Sequence, residues 1–172
     1  MHKSLHQFFE KDHQRIEKLF NKAIEQPDRI EMNYYNQFRA QLLKHIKMEE
    51  KILFPAARKA NQSVMQEILP QYRLEHGAIT ALMVPPPTPS LIKVIIYILK
   101  KHNIAEEAME GLYDTCEELT KGQTQELLQQ LIVTEEVPIH PPNPAPIAIE
   151  AAKRALKRAN YDFDEILTLH SD

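Results

Sequence analysis

The chain has 172 residues, a formal net charge of −3 and 43% apolar residues, which suffices for one buried core without disulfides. This weak net charge, with Lys and Arg interleaved among carboxylates, argues against a nucleic-acid partner. Cys116 is the single cysteine, so we expect no internal disulfide and a reducing, cytoplasmic compartment. The three glycines and the many helix-favouring residues predict an all-α protein.

Apolar residues at helical spacing predict four main helices separated by three breaks. Pro27 ends the first helix, the proline-rich run 85–89 ends the third, and Ser90 is placed to cap the fourth. Pro55 predicts a kink in the second helix, and Pro70 falls inside the third. The predicted helices span about residues 4–26, 32–60, 63–83 and 90–120.

The most apolar run of the chain, residues 91–99, lies inside the fourth predicted helix and contains Lys93. It is about half as long as the ~20 residues that a membrane span requires. We therefore expect a buried helix and no membrane association.

Beyond the fourth helix, the sequence predicts a shorter helix at about 124–135, a proline-rich arm at 138–146 and a last helix at about 147–159. We expect residues 1–137 to form the bundle with its short extra helix, and 138–172 to pack on it or on a homodimer partner. The last helix has an apolar face to cover, formed by Ile147, Ile149, Ala152 and Leu156.

Two histidine–glutamate pairs have the spacing of one helical turn: His45 with Glu49, and His102 with Glu106. Residues four apart lie on one face, about 6 Å apart along the axis, so each pair could bind one ion. The spacing alone is weak evidence, because His6 and Glu10 share it and such pairs are usually surface contacts.

The helical faces strengthen the case for a metal site, since each main helix has one histidine among apolar residues: His13, His45, His76 and His102. A lone inward histidine is more often a core residue with one hydrogen bond than a ligand. Four imidazoles and two carboxylates buried together would be costly without compensation, whereas a pair of divalent ions would satisfy them all.

These residues occur in motifs that resemble the hemerythrin-like family, also called HHE cation-binding domains, over about residues 4–120. The motifs agree in residue type, order and distribution, one for each helix. They are Asp12-His13-x-x-Ile16-x-x-Leu19, His45-x-x-x-Glu49-Glu50-x-x-Leu53-Phe54-Pro55, Glu75-His76 and His102-x-x-x-Glu106-Glu107.

The resemblance implies an up-down four-helix bundle, with the C-terminal helices as additions, that holds a non-haem di-iron centre. Glu49 and Glu106 would bridge the two irons, which an oxo or hydroxo group would also bridge. His13 and His45 would bind one iron, and His76 and His102 the other. Manganese and zinc accept the same ligands, so the choice of iron rests on the family.

One departure concerns the third helix, where oxygen-carrying hemerythrins typically have two histidines four apart and this chain has His76 and then Thr80. The missing imidazole implies an open position on both irons beside Thr80, which favours sensing or scavenging over oxygen transport. Glu50, Glu75 and Glu107 adjoin ligands and are candidates for hydrogen bonding to them, although a surface role explains them equally well.

Two functions from different classes follow from the resemblance. The first is a binding protein that takes up dioxygen or nitric oxide for sensing, storage or detoxification, and this hypothesis is preferred. The second is a di-iron oxidoreductase, or an iron donor in the repair of iron-sulfur centres. Cys116 adjoins two glutamates that disfavour a thiolate, so we expect it to be inert.

Overall fold

The computed structural model describes residues 4–169, and over that range it contains helices and no β-strand. The prediction of an all-α protein is confirmed. No helix within this range is long and apolar enough to cross a membrane.

The helices of the first half are α1 (Leu5–Ala23), α2 (Met32–Met48), a π-helical turn (Glu49–Leu53), α3 (Phe54–Ala60) and α4 (Gln62–Leu82). The second half contains α5 (Pro89–Glu107), α6 (Leu112–Leu119), a 3₁₀ turn (Lys121–Gln123), α7 (Thr124–Ile132), α8 (Pro146–Arg158) and α9 (Phe163–Thr168). Pro70 lies inside α4 without ending it.

The distortion predicted at Pro55 takes the form of the π-helical turn that precedes it. In this turn the Phe54 N–H donates to the Glu49 carbonyl, five residues back. A proline ring clashes with the carbonyl four residues earlier and donates no hydrogen bond, so a wider turn before Pro55 relieves both problems. As a result α2 and α3 form one continuous helix with a local widening that begins at Glu49.

The fourth helix differs from its prediction in two ways. It ends at Glu107 instead of near residue 120, because Glu110 has a left-handed φ of 60° and Gly111 follows it. A Cβ at Gly111 would lie 2.6 Å from the Ala108 carbonyl oxygen, so only glycine fits this break. The predicted cap was also wrong, since Thr88 Oγ1, and not Ser90, accepts a hydrogen bond from the Leu91 N–H at 3.2 Å.

The described residues divide into two compact units. Unit 1 comprises the described residues up to Glu67 together with Ala105–Ile139. In it α1 packs against α2, α6 and α7, and the rings of Phe20 and Phe38 stack with centroids 4.4 Å apart. Aromatic and aliphatic side chains at helical spacing therefore bury the inner faces of these helices.

Unit 2 comprises Ile68–Ile104 and the described residues from His140 onward. The proline-rich arm contacts the segment just after α4 in this unit, where the Asn143 N–H donates to the Val84 carbonyl at 2.8 Å. On α8, Ala152 and Leu156 are buried as expected, but Ile147 is 68% exposed. The short helix α9 was not predicted, and Asp162 caps it by accepting hydrogen bonds from two backbone N–H groups.

Candidate metal centre

Unit 1 brings together four of the predicted ligands: His13 from α1, His45 from α2, Glu49 from the start of the π-helical turn and Glu106 from the end of α5. His13 and His45 are 6% and 2% exposed, and both glutamates are fully buried. The apolar spacing that predicted inward histidines was therefore a correct guide to burial. These four side chains place two imidazoles and two carboxylates together in the buried interior of unit 1.

The orientation of the two imidazoles is fixed by carboxylates on their outer nitrogens. His45 Nδ1 lies 2.9 Å from Asp12 Oδ2, and His13 Nδ1 lies 2.6 Å from Glu107 Oε1. Because an ionised carboxylate only accepts, each Nδ1 carries the proton, and each Nε2 of a neutral ring presents a lone pair inward. Such carboxylate–histidine pairs are the usual support for histidines that bind metals.

The two inward nitrogens, His13 Nε2 and His45 Nε2, are only 2.9 Å apart. Two lone pairs at this distance repel unless a proton or a metal cation lies between them. Two ligands that bind a metal at about 2.1 Å and at right angles are about 3 Å apart, which is the spacing found here. One ligand atom each of His13, His45 and Glu106 lies within 4.8 Å of the others.

The raised pKa of His45 reflects how strongly this cluster favours positive charge. Burial alone would lower the pKa of His45, but the charge of Glu49 and the hydrogen bond to Asp12 outweigh it and raise that pKa to about 10. The same contacts hold the pKa of Asp12 below its usual range despite burial, with Arg15 contributing. Without a metal, the cluster therefore retains a proton in the place of a cation.

Unit 2 contains the other two predicted histidines, with His76 on α4 and His102 on α5, each 3% exposed. Their ring centroids are 4.9 Å apart, and one ligand atom of each lies within 4.8 Å of the other. His102 Nδ1 lies 2.6 Å from Glu75 Oε2, which repeats the carboxylate–histidine arrangement of unit 1. Glu75 and Glu107, two candidates from the sequence, thus each contact the outer nitrogen of a histidine.

Glu75 is in turn held by neighbours on its other oxygen. Gln71 Nε2 donates to Glu75 Oε1 at 2.9 Å, and the Tyr161 hydroxyl donates to the same oxygen at 3.0 Å. Burial would raise the pKa of Glu75, but the hydrogen bonds from His102, Gln71 and Tyr161 together hold it below its usual range. Glu75 therefore remains an ionised acceptor for His102.

The N-terminal part of the chain matches a known family. Residues 4–84 match the hemerythrin HHE cation-binding domain. The hemerythrin-like stretch runs from the start of α1 to just beyond α4 and contains His13, His45, Glu49 and His76, whereas His102 and Glu106 follow it. No curated protein and no solved structure matches the chain.

The buried imidazole and carboxylate donors fit the cation-binding role that defines the hemerythrin HHE family. Imidazole nitrogens and carboxylate oxygens bind iron, manganese and zinc alike. The outer nitrogens of His13, His45 and His102 already lie against carboxylates. The structure thus contains a buried His/Glu cluster that is compatible with metal binding.

Tyr113, on α6 in unit 1, was not found by sequence reasoning. Its hydroxyl donates to Glu49 Oε1 at 2.7 Å and lies 3.0 Å from Glu106 Oε2. The hydrogen bond between Asp12 and His45 was also not predicted, because the two residues lie on different helices. Gly111 could have indicated the Tyr113 contacts, because a glycine there predicts a break between α5 and α6 and therefore a new direction for Tyr113.

Other candidates from the sequence lie outside these groups. Thr80 follows His76 by one turn of α4, but its side chain is exposed, and Glu50 is half-buried in the π-helical turn.

Cys116 and two further histidines also lie apart from the candidate ligands. Burial, followed by the charges of Glu49 and Glu106, raises the pKa of the Cys116 thiol well above its usual value, which agrees with an inert cysteine. Of the two histidines, His6 belongs to α1, and His140 is exposed. His2 and His170 lie outside the described residues.

Proposed function

We propose that this chain is a non-haem di-iron protein that binds a small oxidant, dioxygen or nitric oxide, for sensing, storage or detoxification. In this proposal two iron ions are held by six residues, with an oxo or hydroxo bridge between the ions. The ligands are His13, His45, Glu49, His76, His102 and Glu106. The proposal extends the cation-binding role of the hemerythrin HHE family to a particular metal, stoichiometry and use.

The observation that carries the proposal is the 2.9 Å separation of His13 Nε2 and His45 Nε2, both with their outer nitrogens on carboxylates. Two nitrogens at this distance need a proton or a metal cation between them, and the proposal places a metal there. Unit 2 supports a count of two ions, because it contains a second pair of buried imidazoles, one of which is also supported by a carboxylate. Two glutamates, Glu49 and Glu106, supply negative charge.

The number of ligands supports a binding role. Iron in octahedral sites takes about six donors, so six residues leave open positions on two ions even when both carboxylates bridge. Small exogenous ligands would occupy those positions. The buried histidines and carboxylates would orient the ions and exclude bulk water, while the iron would supply reversible or redox binding of the diatomic ligand.

The test is metal analysis of freshly purified full-length protein, combined with absorption spectra under argon, under air and with nitric oxide. We expect two irons for each chain and spectra that change when either gas is added. Zinc or manganese in place of iron would overturn the metal assignment, and less than one ion for each chain would overturn the site. Sustained consumption of peroxide or nitric oxide would instead support the di-iron oxidoreductase alternative.

A further inference from the structure

Tyr113 occupies an unusual place in unit 1, because its hydroxyl lies among the candidate ligand atoms themselves. The side chain is 1% exposed, and its ring stacks on Phe9 with centroids 5.0 Å apart and an angle of 18° between the planes. The break at Gly111 starts α6 immediately before it. Packing and backbone together therefore fix the direction of this hydroxyl.

The hydroxyl oxygen contacts four groups at once. It is 2.7 Å from Glu49 Oε1, 3.0 Å from Glu106 Oε2, 3.2 Å from His13 Nε2 and 3.3 Å from His45 Nε2. The phenol has one proton to donate and His45 Nε2 supplies at most one more. At least two of the four contacts therefore contain no hydrogen bond.

The contacts measured among these five atoms have the spacing of a coordination shell. The two imidazole nitrogens are 2.9 Å apart, His13 Nε2 is 3.4 Å from Glu106 Oε2, and His45 Nε2 is 3.4 Å from Glu49 Oε1. With the hydroxyl contacts, the measured separations run from 2.7 to 3.4 Å. Neighbouring donors around an ion with bonds of about 2.1 Å are separated by about 3 Å.

We propose that Tyr113 is itself a metal ligand and binds, as a phenolate, the ion that His13 and His45 hold. In this step the O–H bond breaks, a bond from oxygen to the metal forms, the proton leaves to solvent, and no electron is transferred. The proposal rests on the proposed function, since it requires a metal in this cluster. It makes the unit 1 ion richer in protein ligands than the ion of His76 and His102.

In the metal-free protein the phenol donates its proton in a hydrogen bond to Glu49 Oε1. A bound cation favours the ionised oxygen instead. Tyr113 thereby changes from a hydrogen-bond donor in the metal-free state to a ligand in the loaded one.

A consequence concerns where exogenous ligands bind. A phenolate would fill a position on the ion of His13 and His45 that the six-ligand proposal leaves open. Azide, dioxygen or nitric oxide would then bind at the ion of His76 and His102. The two ions of the proposed centre would differ in ligand set and in access.

The experiment uses full-length protein loaded with iron(II) under argon and then oxidised in air, because iron(III) phenolates give a visible charge-transfer band. Resonance Raman spectra excited in that band are recorded for protein made with ordinary and with ring-deuterated tyrosine. The variants are Tyr113→Phe and, as a matched control, Tyr35→Phe. Tyr35 is also fully buried in unit 1, and its hydroxyl has no hydrogen-bond partner among the described residues.

We expect wild type and Tyr35→Phe to show phenolate ring modes that shift with deuteration. Tyr113→Phe should lose these modes entirely while still binding iron through the remaining ligands. Iron-loaded wild type without such modes, or Tyr113→Phe that retains them, would overturn the assignment while the proposed di-iron centre stands. A wild type that takes up no metal would overturn both proposals.

If Tyr113→Phe does not fold, 3-fluorotyrosine placed at position 113 keeps the ring and its packing. A coordinated oxygen would then shift the charge-transfer band, because fluorine changes the energy of the phenolate. An unshifted band would show that the ligand is another tyrosine and would overturn the proposal.

Discussion

The two histidine pairs of the molecule differ in where their tyrosine lies. In unit 1 the Tyr113 hydroxyl contacts the inward nitrogens of His13 and His45 directly. In unit 2 the Tyr161 hydroxyl contacts Glu75, the carboxylate behind His102. The same functional group thus acts on the proposed ligand atoms in one unit and on their support in the other.

The two positions of the tyrosine correspond to two ways in which a protein sets the affinity of a metal site. A tyrosine among the ligand atoms changes the charge and the number of donors, whereas a tyrosine behind a carboxylate changes how firmly one imidazole is oriented. The units should therefore respond differently to matched substitutions. Matched substitutions test that contrast, beginning with groups that both units share.

The largest effect is expected on removing an imidazole. His45→Ala in unit 1 and His102→Ala in unit 2 should each lower the affinity for one ion by more than about 100-fold, beyond the usual loss of a supporting group. Metal content of each chain after dialysis measures this, with His140→Ala as the control, since that histidine is exposed. Unchanged metal content in either variant would remove that histidine from the ligand set.

A smaller effect is expected from the supporting carboxylates. Asp12→Asn and Glu75→Gln keep the shape of the side chain but remove the charge that faces His45 Nδ1 or His102 Nδ1. Each should lower metal affinity by about 10- to 100-fold. Competition with a coloured chelator measures it. Equal affinities for wild type and both variants would show that these contacts do not orient the imidazoles.

In the metal-free protein, stability should depend on the protonation of His45. Folding raises the pKa of His45 from the ordinary 6.5 to about 10. A group with a raised pKa stabilises the fold fully below its unfolded pKa, and that stabilisation is lost as the pH rises through the folded pKa. We therefore expect the free energy of unfolding to fall between about pH 6.5 and 10.

Urea denaturation at several pH values, with and without metal, measures this dependence. In the loaded protein the metal takes the place of the proton, so the decline should be weaker. His45→Gln should also weaken the decline in the metal-free protein. Identical pH profiles for metal-free wild type and His45→Gln would contradict the assignment of this proton to His45.

The smallest effect is expected from Tyr161→Phe. It removes one donor from Glu75 and leaves those from Gln71 and His102, so the pKa of Glu75 should rise only partly toward its usual range. Metal affinity should fall by less than about tenfold, which is below the loss expected from a missing carboxylate. Tyr34→Phe serves as the control, since its ring contacts Lys22 instead. A loss as large as that of Glu75→Gln would place Tyr161 closer to the metal.

The sequence was a good guide where the relevant residues lie on one helix. Apolar neighbours at helical spacing predicted that His13, His45, His76 and His102 are buried, and all four are. The same spacing placed the main helices, and Pro55 itself predicted the distortion of the second one. These features depend on local periodicity, which a single sequence records directly. Their role as ligands stays a prediction.

Features that depend on contacts between helices were harder to predict. On an unbroken helix, the seven residues from Glu106 to Tyr113 would span about 10 Å along the axis. The left-handed Glu110 and the cramped Gly111 instead return the Tyr113 hydroxyl to within 3.0 Å of Glu106. Asp12 was overlooked for a similar reason, because the imidazole that it supports belongs to α2.

The π-helical turn from Glu49 to Leu53 has a consequence for changes in chain length. A π turn accommodates one residue more than the α-helical turn it replaces, so it is equivalent to a single-residue insertion in a continuous helix. Removing one residue, such as Lys51, would return this stretch to α-helical pitch. Five π-helical steps and four α-helical steps cover nearly the same rotation, so later positions would keep their direction relative to Glu49. Phe54 and Ala57, now fully buried, would still face the core, whereas a deletion in the α-helical part of α2 would rotate them by about 100° and disrupt their packing.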